Sequence, residues 1–361
     1  MANYCFEVDR RNLAKHRLTD IPSLDSLELK QGQVALSVDQ FALTANNITY
    51  GVAGDLVGYW HFFPAEGDFG RIPVWGVGTV VQSANDNIKV HDRYYGYFPM
   101  ASYLVVEPVK ASPRGFNDGT AHRQALPPVY NQYSLVSEAN GFKDATLPHQ
   151  MVYRPLFTTS FVLDDYLADN DFFGAKRVIL SSASSKTAFG LAFLLHQRKD
   201  VIVCGLTSAQ NAAFVKGMGT YDEVLTYDEV ESLDRSGKAV YVDMAGNREV
   251  LARVHQHYGE QLVCSAGVGI THRDAWSEEG PASLPGAKPS MFFAPDQIEK
   301  RNKDWGPEKF QQALTQAWDS FLGEVDTWVC INYPKGADQL TTTYETVLAG
   351  GNPAQAYVVS L

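Results

Sequence analysis

VILSSASSKTAFGLAFLL (178–195) reads as a buried strand, a tight turn of small residues and an amphipathic helix. A turn of this kind turns backbone N–H groups and a helix N-terminus toward an anion, which is how a pyrophosphate is held. Glycines usually provide the close approach. Here Ser182, Ala183, Ser184, Ser185 and Ala188 take the crowded positions, and Lys186 stands where a glycine is common. Serine hydroxyls can donate to phosphate oxygens and Lys186 can bring a positive charge to them. Ser182 through Lys186, with Thr187 in the first helical turn, are therefore the candidate phosphate contacts. The plain alternative is a strand-to-helix connection capped by Ser184 or Ser185, with Lys186 in solvent. A Walker-type reading of SSKT fails, since its glycines are absent and Leu180 occupies the first one's place.

Outward from this turn, strands and helices alternate. Apolar runs at 177–182, 201–206, 223–225, 239–243 and 261–265 predict strands, and helical patterns fall at 187–197, 209–217 and 248–257. Alternating βα units imply a doubly wound parallel sheet, here of five strands, and an α/β fold class. The first hundred residues instead carry short β-rich runs (34–38, 78–81, 103–106) broken by Gly, Pro and Asp/Asn, the mark of a small β domain. Between them, 109–146 is rich in Pro, Gly, Asn and Ser without periodicity, and is expected to be an irregular excursion serving as a lid or an interface. Beyond a Pro/Gly-rich stretch at 281–289, a helix at 307–321 and a strand at 356–360 complete the pattern.

A chain of 361 residues, 45% of them hydrophobic, is expected to build two cores. Its net charge of −11 opposes nucleic acid or an anionic membrane as the main partner. There is no run of about 20 apolar residues, and MANYCFEVDRRNLAKHR lacks the apolar core of a secretory signal, so the expected compartment is the cytoplasm. Cys5, Cys204, Cys264 and Cys330 stand far apart and read as reduced, mostly buried thiols.

The second strand ends VCGLTSAQN (203–211). A site preferring NAD puts Asp or Glu there for the ribose 2′-hydroxyl, whereas Thr207, Ser208 and Asn211 leave room for a phosphate and favour NADP. Thr207 or Ser208 can also simply cap the next helix.

Taken in order, the motifs resemble the medium-chain dehydrogenase/reductase superfamily, specifically its zinc-independent, quinone oxidoreductase-like members. The segment 72–108 is similar to that family's Pro–Gly–x–Gly–x–Val strand, Gly-Asp-Arg-Val turn and Tyr-Ala-Glu-Tyr strand, with His91-Asp92-Arg93 at the turn. RPLFTTSFVLDDYL (154–167) resembles the helix entering the cofactor domain, with Thr158 at the nicotinamide-side threonine. VDMAGN (242–247) matches the fourth-strand Asp-x-x-Gly segment, and SAGVG (265–269) the loop after strand five, offering Ser265, Ala266 and Gly267 to the cofactor. The resemblance implies a GroES-like β domain (1–155), a Rossmann NADP-binding domain (156–290), a return to the first domain (291–361) and an active cleft between the two. It also implies that Thr207 and Ser208 stand at the family's 2′-phosphate serine region, that Asn211 replaces its Lys, and that Tyr227 fits its Tyr. Phe292 and Phe293 correspond to the loop covering the nicotinamide, or else plug the domain junction. Family members commonly pair through the cofactor domain, so a homodimer with its edge near Val263 is a possible assembly. The zinc ligand sets of the metal-dependent relatives are missing: His61 and Glu66 have no cysteine beside them, so no metal is expected.

TANNITYGVAGDLVGYWHFFPAEGDFG (44–70) occupies the place where the family lines its substrate cleft. Asn46, Asn47 and Tyr50 resemble its polar residues, while Tyr59, Trp60, Phe62 and Phe63 form either an apolar wall for a flat small-molecule substrate or ordinary packing. Tyr50 is the first candidate for substrate polarisation, Tyr59 the second, and Lys186 a further acid/base. Asp243 is expected to bond locally, and His255, His257 and His272 to be surface or core histidines. The leading expectation is an NADPH-dependent oxidoreductase reducing an enone, quinone or carbonyl of a small hydrophobic molecule. The alternatives are an NADP-binding sensor or partner-binding protein without turnover, and non-redox lyase or hydrolase chemistry on the same fold.

Overall fold

The computed structural model describes residues 3–244, 246–268 and 284–361. The chain divides into two compact units, Met1–Val152 with Cys330–Leu361, and Tyr153–Val329.

The second unit is built on a six-stranded parallel sheet. Its strands are β1 (Arg177–Leu180), β2 (Ile202–Thr207), β3 (Glu223–Thr226), β4 (Ala239–Asp243), β5 (Leu262–Gly267) and β6 (Ser290–Met291). Their order is β3-β2-β1-β4-β5-β6, the doubly wound order in which the chain reverses direction beside β1. The two-residue β6 is too short to leave a periodic signal. Ile179, Leu206, Tyr241, Val254 and Leu262 share one buried apolar cluster, while Phe189 on the helix Lys186–Arg198 packs near Phe321 and Trp328. Both faces of the sheet are thus covered, as a parallel sheet requires.

Residues 291–329, expected to return to the first unit, belong to the second. Their helices, Ala294–Trp305 and Pro307–Trp328, anchor there. Arg301 pairs with Asp165 at 2.6 Å and Asp169 at 2.8 Å, and Trp318 and Phe321 pack on Phe157. Only from Cys330 does the chain rejoin the first unit, where Gln355–Val359 pairs antiparallel with Val34–Leu43.

In the first unit, Val34–Leu43, Pro73–Ser83 and Arg93–Pro99 form the middle of a nine-stranded sheet. The segment 109–146 is not an irregular excursion. Pro108–Ser112, Gly115–Asp118 and Gln132–Leu135 extend that sheet as antiparallel strands. Their anchor is polar. Arg123, 1% exposed, donates from Nε to Asn131 Oδ1 (2.9 Å), from Nη1 to Asp118 Oδ2 (3.0 Å) and the Tyr133 hydroxyl (3.1 Å), and from Nη2 to the Tyr130 carbonyl (2.6 Å). The Tyr133 ring lies where a Cβ on Gly96 would come within 2.5 Å of it, so only glycine lets the two strands close.

Candidate functional site

At the C-terminal ends of β1, β2 and β3, the polar residues singled out from the sequence converge. Ser182 sits in the left-handed region (φ 49°), a conformation usually left to glycine, and this bends the chain sharply out of β1. Its N–H donates to the Tyr227 hydroxyl at 3.1 Å, tying the end of β3 to the turn. Asn211, beyond β2, donates from Nδ2 to Ser184 Oγ at 3.0 Å. Ala183 is buried, and its N–H bonds the Leu206 carbonyl on β2 at 3.0 Å. A Cβ on Gly205 would meet that of Ala183 at 2.9 Å, so the turn's close approach is made by a glycine on the neighbouring strand. Ser185 caps the helix Lys186–Arg198 by accepting the Ala188 N–H, and the amides of the first helical turn, Thr187 among them, lie beside the turn. Lys186 is half-buried, and burial pushes its ammonium down to about 8. Thr207 is buried and Ser208 half-buried at the end of β2.

The turn is braced from β4. Asp243, 3% exposed, accepts from Ser181 Oγ (2.7 Å), the Tyr241 hydroxyl (3.2 Å) and the Gly246 N–H (3.1 Å). The bonds to Tyr241 and Gly246 are local to the fourth-strand segment, as expected, whereas the one to Ser181 crosses to the end of β1. In β5, Ala266 and Gly267 are buried, and Ser265 turns its hydroxyl to His255 Nε2 at 2.8 Å. His255 lies 2.9 Å from the Pro285 carbonyl through Nδ1, which fixes Nδ1–H as donor and Ser265 as donor to Nε2. Ser265 therefore supports the core from its side chain rather than presenting a hydroxyl for a ligand, and burial holds the His255 pKa low. His257 bonds the Leu233 carbonyl. Gly269 and His272 lie outside the described residues. Phe292 packs on Tyr166 with centroids 5.3 Å apart, while Phe293 is 55% exposed at the start of the next helix. Thr158 is half-buried on the helix Leu147–Asp169 and returns its hydroxyl to the Arg154 carbonyl.

The first unit separates the residues expected to line a substrate. Asn47 is a helix cap: its Oδ1 accepts the Thr44 N–H at 2.8 Å and its Nδ2 donates to the Pro73 carbonyl at 3.0 Å, so its amide is committed to the fold. Trp60 fills space left by Gly54 and Gly70, where any Cβ would collide with its ring, and is a core residue. Asn46 is half-buried. Tyr50 and Tyr59 remain together, centroids 4.5 Å apart, in a cluster the sequence did not reveal in full. Trp75 Nε1 donates to the Tyr50 hydroxyl (3.3 Å), the Tyr59 and Tyr130 hydroxyls lie 3.0 Å apart, and Tyr97 packs on both Tyr50 and Tyr130. The Tyr97 hydroxyl is buried and has no hydrogen-bond partner among the described residues, an expensive arrangement unless something else meets it. Burial pushes the Tyr50 and Tyr59 hydroxyls well up, so both remain protonated donors. Tyr130 comes from the segment read as irregular; its place after Pro127-Pro128 carried no chemical signal.

Among the described residues no group of three or more His, Cys, Asp and Glu could hold a metal ion, and no helix is long and apolar enough to cross a membrane.

A family model described as protein of unknown function (DUF2855) matches residues 41–353. No curated protein matches the chain. Among solved structures the chain is similar to CurA from Vibrio vulnificus, at 15% identity and a TM-score of 0.61 over 99% of this chain and 98% of that one. The same protein in complex with NADPH gives 15% identity and 0.58, over 98% and 96%. The yhdH oxidoreductase from Salmonella enterica in complex with NADP gives 14% and 0.54, over 100% of each chain. The chain therefore shares the fold of these solved proteins, with a β unit and a doubly wound parallel-sheet unit.

Proposed function

We propose that this chain, which belongs to the DUF2855 family, binds NADPH at the turn after β1 and reduces an enone, quinone or carbonyl of a small hydrophobic molecule. The observation that carries the reading is the meeting of Ser182, Ser184, Asn211 and Tyr227 at the reversal point of the sheet. Open α/β sheets bind their ligands there. The donor set suits the group. Serine hydroxyls, first-turn amides and Lys186 match a pyrophosphate, and the uncharged Thr207, Ser208 and Asn211 match a 2′-phosphate. That two solved proteins of this fold carry NADPH or NADP supports the same cofactor here.

Bound NADPH supplies a hydride; the chain must orient the acceptor and deliver a proton. Tyr50 is the first candidate. Its hydroxyl is buried beside those of Tyr59, Tyr97 and Tyr130, stays protonated and already accepts the Trp75 N–H, which leaves its own proton to polarise a substrate oxygen. A panel of enones, quinones and aldehydes assayed at the nicotinamide absorbance band tests this. Turnover is expected with at least one class, and Tyr50→Phe is expected to lower kcat about 100-fold at unchanged NADPH affinity. Absence of turnover across the panel, with tight NADPH binding, would instead support a binding protein without chemistry, a reading favoured by the 6% and 3% exposure of Tyr50 and Tyr59.

Lys186 gives this reading a pH signature. Its pKa of about 8 in the free chain must rise when a phosphate binds beside it, so binding takes up a proton above pH 8. NADPH affinity is expected to be level below pH 8 and to fall by up to about tenfold per pH unit as pH rises from there. Titrations at pH 7, 8 and 9 check this, and Lys186→Met should flatten the profile; a wild-type profile already flat to pH 9 removes Lys186 from the phosphate site.

A further inference from the structure

The first unit contains a cavity of about 270 Å³ that the reading above does not use. Cys5, Phe62, Phe63, Ala101 and Leu104 give it apolar walls, and Arg71 lies in its lining. Phe63, expected from the sequence beside a substrate, faces this cavity.

The charges around it do not cancel. Asp118 and Arg123 form a closed pair: Asp118 Oδ2 accepts from Arg123, and Oδ1 from the Glu107 N–H, the Thr120 N–H and the Thr120 hydroxyl. Arg71 shares its carboxylate. Glu7, 2% exposed, accepts from Arg71 through Oε1 (2.8 and 3.0 Å) and from Arg17 through Oε2 (2.7 and 2.9 Å). Two arginines on one carboxylate leave one positive charge in excess, in a chain whose net charge is −11. Of the five N–H donors of Arg71, two are given to Glu7 and one to the Pro64 carbonyl, and its side chain is 27% exposed. An apolar pocket with one uncompensated guanidinium is complementary to a hydrophobic body bearing a single carboxylate. The volume lies just below the range of about 300–1,000 Å³ that takes drug-sized molecules, so the occupant is fragment-sized.

We propose that this cavity binds a small apolar monocarboxylate, its carboxylate on Arg71 and its hydrocarbon between Phe63 and Leu104. Benzoate and hexanoate, compared with benzamide and hexanamide on the full chain by saturation-transfer NMR and titration, test it. At least one acid is expected to bind about tenfold more tightly than its amide, the margin of a charge-assisted hydrogen bond over a neutral one. Arg71→Gln should bring that acid down to the amide's level, and Leu104→Trp, which fills the cavity, should abolish binding of both. Equal affinity of acid and amide, no binding of either acid at millimolar concentration, or acid binding untouched by Leu104→Trp would each overturn the proposal. Since Arg71 also braces Glu7, the acid-to-amide ratio and Leu104→Trp decide the matter if Arg71→Gln fails to fold.

Discussion

Replacing Arg123 with methionine is expected to destabilise the first unit by about 3–5 kcal/mol, the range for breaking a buried ion pair from one side. The guanidinium joins two carbonyl oxygens, a tyrosine hydroxyl and a carboxylate, bonding that an apolar side chain cannot replace. Its loss strands the Asp118 charge. The double variant Arg123→Met/Asp118→Leu, which removes both charges, should recover a large part of the deficit. Urea unfolding followed by near-ultraviolet circular dichroism of the tyrosine cluster checks both. A single variant within about 1 kcal/mol of wild type would show that the strands of 109–146 hold by other means. Because Arg123 also holds the Tyr130 carbonyl, the loss should loosen the Tyr59–Tyr130 hydroxyl pair.

Ser208→Asp is expected to weaken NADPH binding about 100-fold, some 2.7 kcal/mol, while NADH binding holds or improves. Ser208 begins the helical turn after β2, a position where Asp caps as well as Ser, so the fold should be unaffected. The new carboxylate would face the 2′-phosphate and could accept from a 2′-hydroxyl. Fluorescence titration with both cofactors measures the ratio. Equal losses for the two would mean that the side chain does not read the 2′ position.

The second unit was legible because its signals are local. Each of β1, β2 and β4 is a mostly apolar run of four to six residues, closed by Ser181 just after β1, by Thr207 and by Asp243, and those endings lie at the edge where ligands bind. Glycine counting obscured the turn, since Ser182 itself takes the left-handed conformation and the close contact is made from Gly205. The domain boundary near 290 was misplaced because the helices of 294–328 are amphipathic, and amphipathicity does not say which core a helix serves. The strands of 109–146 were missed for the opposite reason: they are four or five residues long and anchored by a buried arginine, so no apolar alternation marks them. Asn47, three residues after Thr44, closes the start of its helix, but its place in the family pattern drew it into the substrate list. Ser265 could not be told from a ligand contact until His255 was seen ten residues upstream in sequence and adjacent in space.

Thermal unfolding with NADPH and with NADH, side by side, tests the central claim most directly. A ligand at 100 times its Kd stabilises by about 2.7 kcal/mol, so saturating NADPH should raise the midpoint by several degrees and NADH by clearly less. No shift with either cofactor would contradict the assignment of the turn after β1 as a dinucleotide site.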